Sequence, residues 1–251
     1  IFKINNLQKK YGSYNALKLK KLDIHPGTIY GVVGTIGSGK STLLNLMGGF
    51  EKQTSGSLLY EGEAYQKNWL GKIKPIDSIF STKDPYQNGH DSIIADYITN
   101  NFHKKKNLIE NRYFKNGSFR HLWSRRISKL SSGELNWLGM VVALESDPRV
   151  LLIDDYGMYF NRYMEKDFRN QIIKMNRSLG TTIILTSSSD IYLKYFASVL
   201  IFLDHGHISK IRTGNNKAKK KIKLIIKTVL VRIKENIKKE IIINSITYFI
   251  F

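Results

Sequence analysis

Nine consecutive residues, Gly34-Thr35-Ile36-Gly37-Ser38-Gly39-Lys40-Ser41-Thr42, carry the residue types and spacing that most directly specify chemistry in this chain. They match G-x-x-x-x-G-K-[ST], a loop whose glycines let the backbone curl until successive N–H groups point inward at phosphate oxygens. Lys40 is placed to reach the β- and γ-phosphates of a nucleoside triphosphate, and the Ser41 hydroxyl to hold Mg²⁺. The second carrier of chemistry is Val150-Leu151-Leu152-Ile153-Asp154-Asp155, an apolar run that ends in two carboxylates. Magnesium is bound through carboxylate and phosphate oxygens together with water. Asp154 is read on the metal side, and Asp155 as the group that activates or orients an attacking water. A nucleoside triphosphate and Mg²⁺ are the expected ligands.

The elements around these residues must put both carriers in one place. Thr28–Val33 is a short apolar, β-rich run and reads as a buried strand, and Lys40–Met47 has helical periodicity stopped by Gly48-Gly49. The loop therefore opens a helix, whose N-terminus adds its positive end to the phosphate cradle. Phe2–Leu7 and Leu17–Ile24 read as strands joined by a turn at Tyr11-Gly12. Residues 50–80 are mixed and turn-rich, and residues 86–145 carry helical patterns with few strand signals, a helical insertion. Val150–Ile153, Thr181–Thr186 and Val199–Leu203 read as further buried strands, and Lys166–Leu179 as a helix ended by Gly180. Strands alternating with helices argue for a parallel α/β sheet covered on both faces.

Composition narrows the class. The chain has 251 residues, 42% of them hydrophobic, and no cysteine. That supports one sizeable core and excludes disulfide scaffolds, thiol catalysis and cysteine zinc sites. No apolar run approaches the roughly 18 residues of a membrane span, and Ile1-Phe2-Lys3-Ile4 has no signal-peptide character, so a soluble chain is expected. The net charge of +20 favours polyanions, although AT-rich codon usage would give the same Lys/Ile/Asn bias. Residues 217–251 hold 10 Lys/Arg against 2 Asp/Glu. Their Ile222, Ile226, Val229 or Leu230, Ile233, Ile237 and Ile241 recur at intervals of three and four, so 215–251 is read as a basic C-terminal extension, either an amphipathic helix or loosely ordered. His205 and His207 read as a turn, not as metal ligands.

Leu130-Ser131-Ser132-Gly133-Glu134, standing shortly before the acidic strand, resembles the L-S-G-G-Q signature of the ATP-binding cassette (ABC) family. With the phosphate loop and the acidic strand, this resemblance covers residues 1–214. It implies a P-loop NTPase fold: a RecA-like parallel sheet core, a small antiparallel β-subdomain, and a helical insertion (about 86–145) holding the signature. It also implies a head-to-tail dimer in which Ser131, Ser132, Gly133 and Glu134 close on the partner's phosphate loop. Tyr11 looks like the family's adenine-stacking aromatic, with Tyr14 close enough to compete.

The chain departs from the family pattern where water and γ-phosphate are aimed. Asp155 stands where a Glu is expected, Ser81 at the Gln position and Ser187 at the switch His. Asn161 stands at the dimer-contact Asp. The binding parts are kept and the aiming parts are shortened or replaced, so the expectation is firm Mg·ATP binding with slow hydrolysis. The function that follows is the ATPase subunit of an ABC membrane transporter, peripheral at the cytoplasmic face, working with membrane-embedded permease subunits. A second ABC subunit completes the dimer, as a homodimer or, in preference, a heterodimer. The alternatives are a soluble binding-only or regulatory ABC protein, and a non-transport ABC ATPase acting on nucleic acid. Tyr113, Phe114, Phe119, His121 and Trp123 among arginines could form a nucleic-acid platform, but in the family this insertion faces the permease, and no nucleic acid is expected.

Overall fold

The computed structural model describes residues 1–74, 76–82, 91–115, 119–157 and 162–213. Asn161 and the extension 215–251 lie outside the described residues.

Two sheets form the frame. The first is antiparallel, in the order β2-β1-β4-β5, from β1 (Phe2–Tyr11), β2 (Tyr14–Ile24), β4 (Ser55–Tyr60) and β5 (Glu63–Ala64). The second has the order β10-β9-β3-β8-β7-β6. Its strands are β3 (Ile29–Val33), β6 (Ile79–Ser81), β7 (Val150–Ile153), β8 (Thr182–Ser187), β9 (Val199–Asp204) and β10 (His207–Thr213). Five of these run parallel, and β10 pairs antiparallel with β9.

Helix α1 (Lys40–Met47) lies between the sheets. Its Leu43, Leu46 and Met47 pack with Phe2, Ile4 and Leu17 of the antiparallel sheet and with Val32, Leu152 and Ile184 of the parallel one. The other face of the parallel sheet uses the alternate residues, Val33, Leu151, Ile153, Ile183 and Leu185. That two-residue alternation is the pleat of a strand buried on both sides. Helix α2 (Ile94–Asn101), the long α3 (Ser132–Ser146) and α4 (Arg162–Leu179) lie on that side of the chain. Leu138, Val141 and Val142 of α3 and Ile172 of α4 join its core.

Irregular helical turns fill the insertion between α2 and α3. Its aromatics are spent on one another. Phe114, almost wholly buried, meets the rings of Trp123 at 4.7 Å and Trp137 at 5.1 Å, and Phe119 stacks on Trp137 at 4.3 Å. Glu145, near the end of α3, binds the insertion down. It accepts from the Tyr113 hydroxyl at 2.9 Å and pairs with the Arg112 guanidinium at 2.5 Å, while its carbonyl accepts from Lys105 Nζ at 3.0 Å.

The parallel core, the antiparallel subdomain and the helical insertion match the sequence expectation. The differences lie in the antiparallel sheet and at β6. β1 continues to Tyr11, four residues beyond the expected Leu7, because β2 and β4 supply hydrogen-bond partners that the lysine-rich sequence does not announce. In the turn-rich stretch 50–80 stand β4 and β5, and β6 begins at its end. The glycine and serines of β4 read as loop, β5 and β6 are only two and three residues long, and pairing with neighbours decides otherwise.

Candidate functional site

The loop after β3 is held open by two glycines. Gly39 caps α1 with φ 98°, a left-handed conformation that a side chain rarely tolerates, and a Cβ there would come within 2.6 Å of the Ala16 carbonyl oxygen. A Cβ on Gly34 would stand 2.4 Å from the Leu203 carbonyl oxygen. No side chain caps α1, so its leading amides remain for a ligand. Lys40 is buried, and its ammonium donates to the carbonyls of Gly34 at 2.8 Å and Thr35 at 2.9 Å. The charge is thereby folded across its own loop. A cavity of about 170 Å³ adjoins it, lined by Tyr11, Tyr14, Ala16, Gly37, Gly39, Lys40, Ser41 and Thr42.

Tyr11 stands on this cavity with its ring half exposed and its hydroxyl donating to Glu51 Oε2 at 2.5 Å. Glu51 also accepts from Asn45 Nδ2 at 2.9 Å and pairs with Lys9 Nζ at 3.0 Å. Burial pulls the Glu51 carboxyl upward, and the hydrogen bonds from Tyr11, Asn45 and Lys9 outweigh it, holding the group below its ordinary range. Burial and the same carboxylate push the Tyr11 phenol up. Tyr14 reaches the other wall, its hydroxyl donating to the Gly37 carbonyl at 3.4 Å.

The acidic turn follows β7, two strands from β3, and β8 lies between them. The end of β8 stitches the two together. The Ser187 carbonyl accepts the Gly34 N–H at 3.2 Å, and the Thr186 hydroxyl donates to Asp154 Oδ1 at 2.6 Å. Asp154 is buried. Asp155 takes φ 52°, in the left-handed region, and Tyr156 turns into the core beneath it. Ser187 is buried, and its Oγ accepts the Ser189 N–H at 3.3 Å. Ser81 ends β6, buried beside β7 in register with Leu152. The C-terminal ends of β3, β8, β7 and β6 thus collect the loop, both aspartates, Ser187 and Ser81 at one edge of the sheet, where open α/β sheets bind ligands.

Ser131 to Glu134 do not line that cavity. They open α3 as a capping box: the Ser131 hydroxyl accepts the Glu134 N–H at 3.3 Å, and Glu134 Oε2 accepts the Ser131 N–H at 2.7 Å. Arg125 pairs with the other carboxylate oxygen at 3.0 Å. Burial raises the Glu134 carboxyl, and the Ser131 hydrogen bonds with the Arg125 charge bring it below its ordinary value.

The family model described as ABC transporter matches residues 17–156, from β2 through the acidic turn. The chain belongs to the ABC transporter family. Among similar proteins, the lantibiotic transport ATP-binding protein SrtF of Streptococcus pyogenes is 27% identical over 210 residues, covering 83% of this chain and 89% of that protein. The methionine import ATP-binding protein MetN of Chlamydia caviae is 26% identical over 226 residues, with 84% and 65% covered. The fold is that of ABC cassettes. The solved structure of cbiO1 from Clostridium perfringens superposes with a TM-score of 0.66 at 22% identity, over 94% of this chain and 96% of that one. A bacterial ABC transporter cassette solved as a dimer gives 0.71 at 18% identity, over 86% and 99%.

Within this cassette, sequence reading did not single out Thr186 or Glu51. Thr186 sits one residue before the Ser187 that family spacing marks, and that adjacency was the available signal. Glu51 had none, because its partner Tyr11 lies 40 positions away.

Proposed function

We propose that this cassette is the ATP-binding subunit of an ABC membrane transporter, coupling the binding and slow hydrolysis of Mg·ATP to movement of a partner permease. The observation that carries the reading is the intact phosphate loop, with Lys40 buried inside it, stitched through β8 to a buried aspartate. Gly34, Thr35, Ile36, Gly37, Ser38, Gly39, Lys40, Ser41 and Thr42 bind the triphosphate, and Tyr11 takes the base. The donors fit a hard cation: one hydroxyl, Ser41, and one carboxylate, Asp154, with phosphate oxygens and water completing the set. The described residues hold no cluster of three or more His, Asp or Glu that would serve as an all-protein metal cage. Magnesium, when bound with the nucleotide, neutralises phosphate charge.

The residues beyond binding are arranged for slow chemistry. Asp155 is a methylene shorter than glutamate, and its backbone is held in the left-handed turn. Ser187 accepts a hydrogen bond from its own turn and offers no imidazole. Loss of one well-placed polar group typically costs about 10²–10³ in rate, and losses within one constellation do not add. Binding alone still shifts a conformational equilibrium if the closed state holds ATP more tightly.

No helix among the described residues is long and apolar enough to cross a membrane; in this reading passage is assigned to the permease. The relatives' names as transport and import ATP-binding proteins support that assignment. In this reading residues 1–214 form the cassette and 215–251 a basic extension. The site works at the cytoplasmic face, and the signature of a second cassette subunit, preferably a different one, closes over the loop. Steady-state ATPase of the purified chain is the test. Turnover near 1 per second or more, abolished by Lys40→Ala, would reject slow hydrolysis. Absence of saturable nucleotide binding would reject the reading altogether.

A further inference from the structure

One hydroxyl bonds both aspartates of the acidic turn. Thr186 is fully buried on β8, between the strand that carries the phosphate loop and the strand that carries Asp154. A threonine hydroxyl has one proton to give and lone pairs to accept with. Here the proton goes to Asp154 Oδ1 at 2.6 Å, and the oxygen accepts the Asp155 N–H at 2.8 Å. The Thr186 carbonyl takes the next amide, that of Tyr156, at 2.8 Å. Three consecutive residues of the turn therefore hang on one residue of the neighbouring strand.

We infer that Thr186 is a positioning residue for the metal and water end of the nucleotide site, setting the Asp154 carboxylate and the Asp155 backbone through a single bridging hydroxyl. This rests on the proposed Mg·ATP site. The β-branched side chain is stiff about χ1, so the oxygen stands at a fixed place relative to β8. A hydrogen bond from a buried hydroxyl to a carboxylate is charge-assisted and strong, and it fixes the plane in which Asp154 presents its oxygens. Asp155 is in the left-handed region at φ 52°, a conformation uncommon for a residue with a side chain. The Thr186 oxygen anchors the amide of that residue. The same strand end holds Gly34 through the Ser187 carbonyl, so loop and carboxylate are referenced to one backbone.

The experiment compares wild type, Thr186→Val and Thr186→Ser as full chains. Valine keeps the shape and removes the hydroxyl; serine keeps the hydroxyl. Equilibrium affinity for ATP is measured with Mg²⁺ and with EDTA, and the ratio of the two is the readout. Partners of this kind around a metal ligand typically contribute about 10–100-fold to metal affinity. Thr186→Val is expected to lose about tenfold or more of the magnesium enhancement while binding in EDTA stays within a few-fold, and Thr186→Ser to keep it. An unchanged ratio in Thr186→Val overturns the inference. If the valine variant does not fold, Thr186→Ala removes the same hydroxyl and replaces it. If the wild type itself shows no magnesium enhancement, the metal reading of the site fails. Amide exchange at Asp155 without nucleotide then decides the positioning role: faster exchange in the valine variant than in wild type and serine sustains it, and equal exchange rejects it.

Discussion

The Tyr11 hydroxyl donates to the Glu51 carboxylate at 2.5 Å, tying the end of β1 to the chain just beyond α1. The aromatic wall of the proposed nucleotide cavity is thereby fixed to the helix that opens from the phosphate loop. Stacking of a base on an aromatic side chain contributes about 1–3 kcal/mol. Tyr11→Ala is expected to weaken ATP binding about 5- to 150-fold, and Tyr11→Phe to weaken it only slightly. Titration with a fluorescent ATP analogue measures both. Full affinity in Tyr11→Ala together with loss in Tyr14→Ala would assign the platform to Tyr14 instead.

Glu51 gives a pH dependence with a definite sign. Its carboxyl is held below the ordinary range when folded, while in the unfolded chain it titrates near about 4.3. The folded state therefore binds the proton less readily, and the stabilisation is present at neutral pH and lost as pH falls through the folded value. Urea midpoints recorded from pH 7 down to pH 3 should fall less steeply for Glu51→Gln than for wild type. Parallel curves would show that the cluster around Glu51 adds no acid sensitivity.

Glu145 is the buried carboxylate that fastens the insertion to the end of α3. Burial drives the Tyr113 phenol strongly upward, so that hydroxyl stays protonated and available to donate. Glu145→Ala leaves it without this acceptor, at a cost of about 1–3 kcal/mol. Chemical denaturation should report that loss, and hydrogen exchange should place the loosening at residues 105–115. A global loss with no local change in exchange would contradict this account of how the insertion is held.

The proposed slow turnover has a constructive test. Replacing the shortened and missing groups together, Asp155→Glu with Ser187→His, is expected to raise kcat about tenfold or more, a fraction of what such groups contribute where they are native. ATP affinity should stay within a few-fold, because neither residue belongs to the phosphate loop. A double variant no faster than wild type would place the limitation elsewhere, in the turn geometry at Asp155 or in the missing partner subunit.

What the sequence determined by itself was local. A phosphate loop is nine contiguous residues whose backbone freedom comes from its own glycines, and Val150–Ile153 announces a buried strand by being apolar throughout. The capping box at Ser131 and Glu134 is local in the same sense, since its two bonds span three positions, although its residue types serve a family signature equally well. Tertiary structure alone decided the rest. No periodicity encodes that β8 is inserted between β3 and β7, so the Thr186–Asp154 bond, 32 positions apart, became visible only once the sheet order was known. Likewise β4, β5 and β6 exist through hydrogen bonds to neighbours that a propensity reading does not contain. Short-range geometry is written in adjacent residues; contacts across a sheet depend on which strands the whole chain brings side by side.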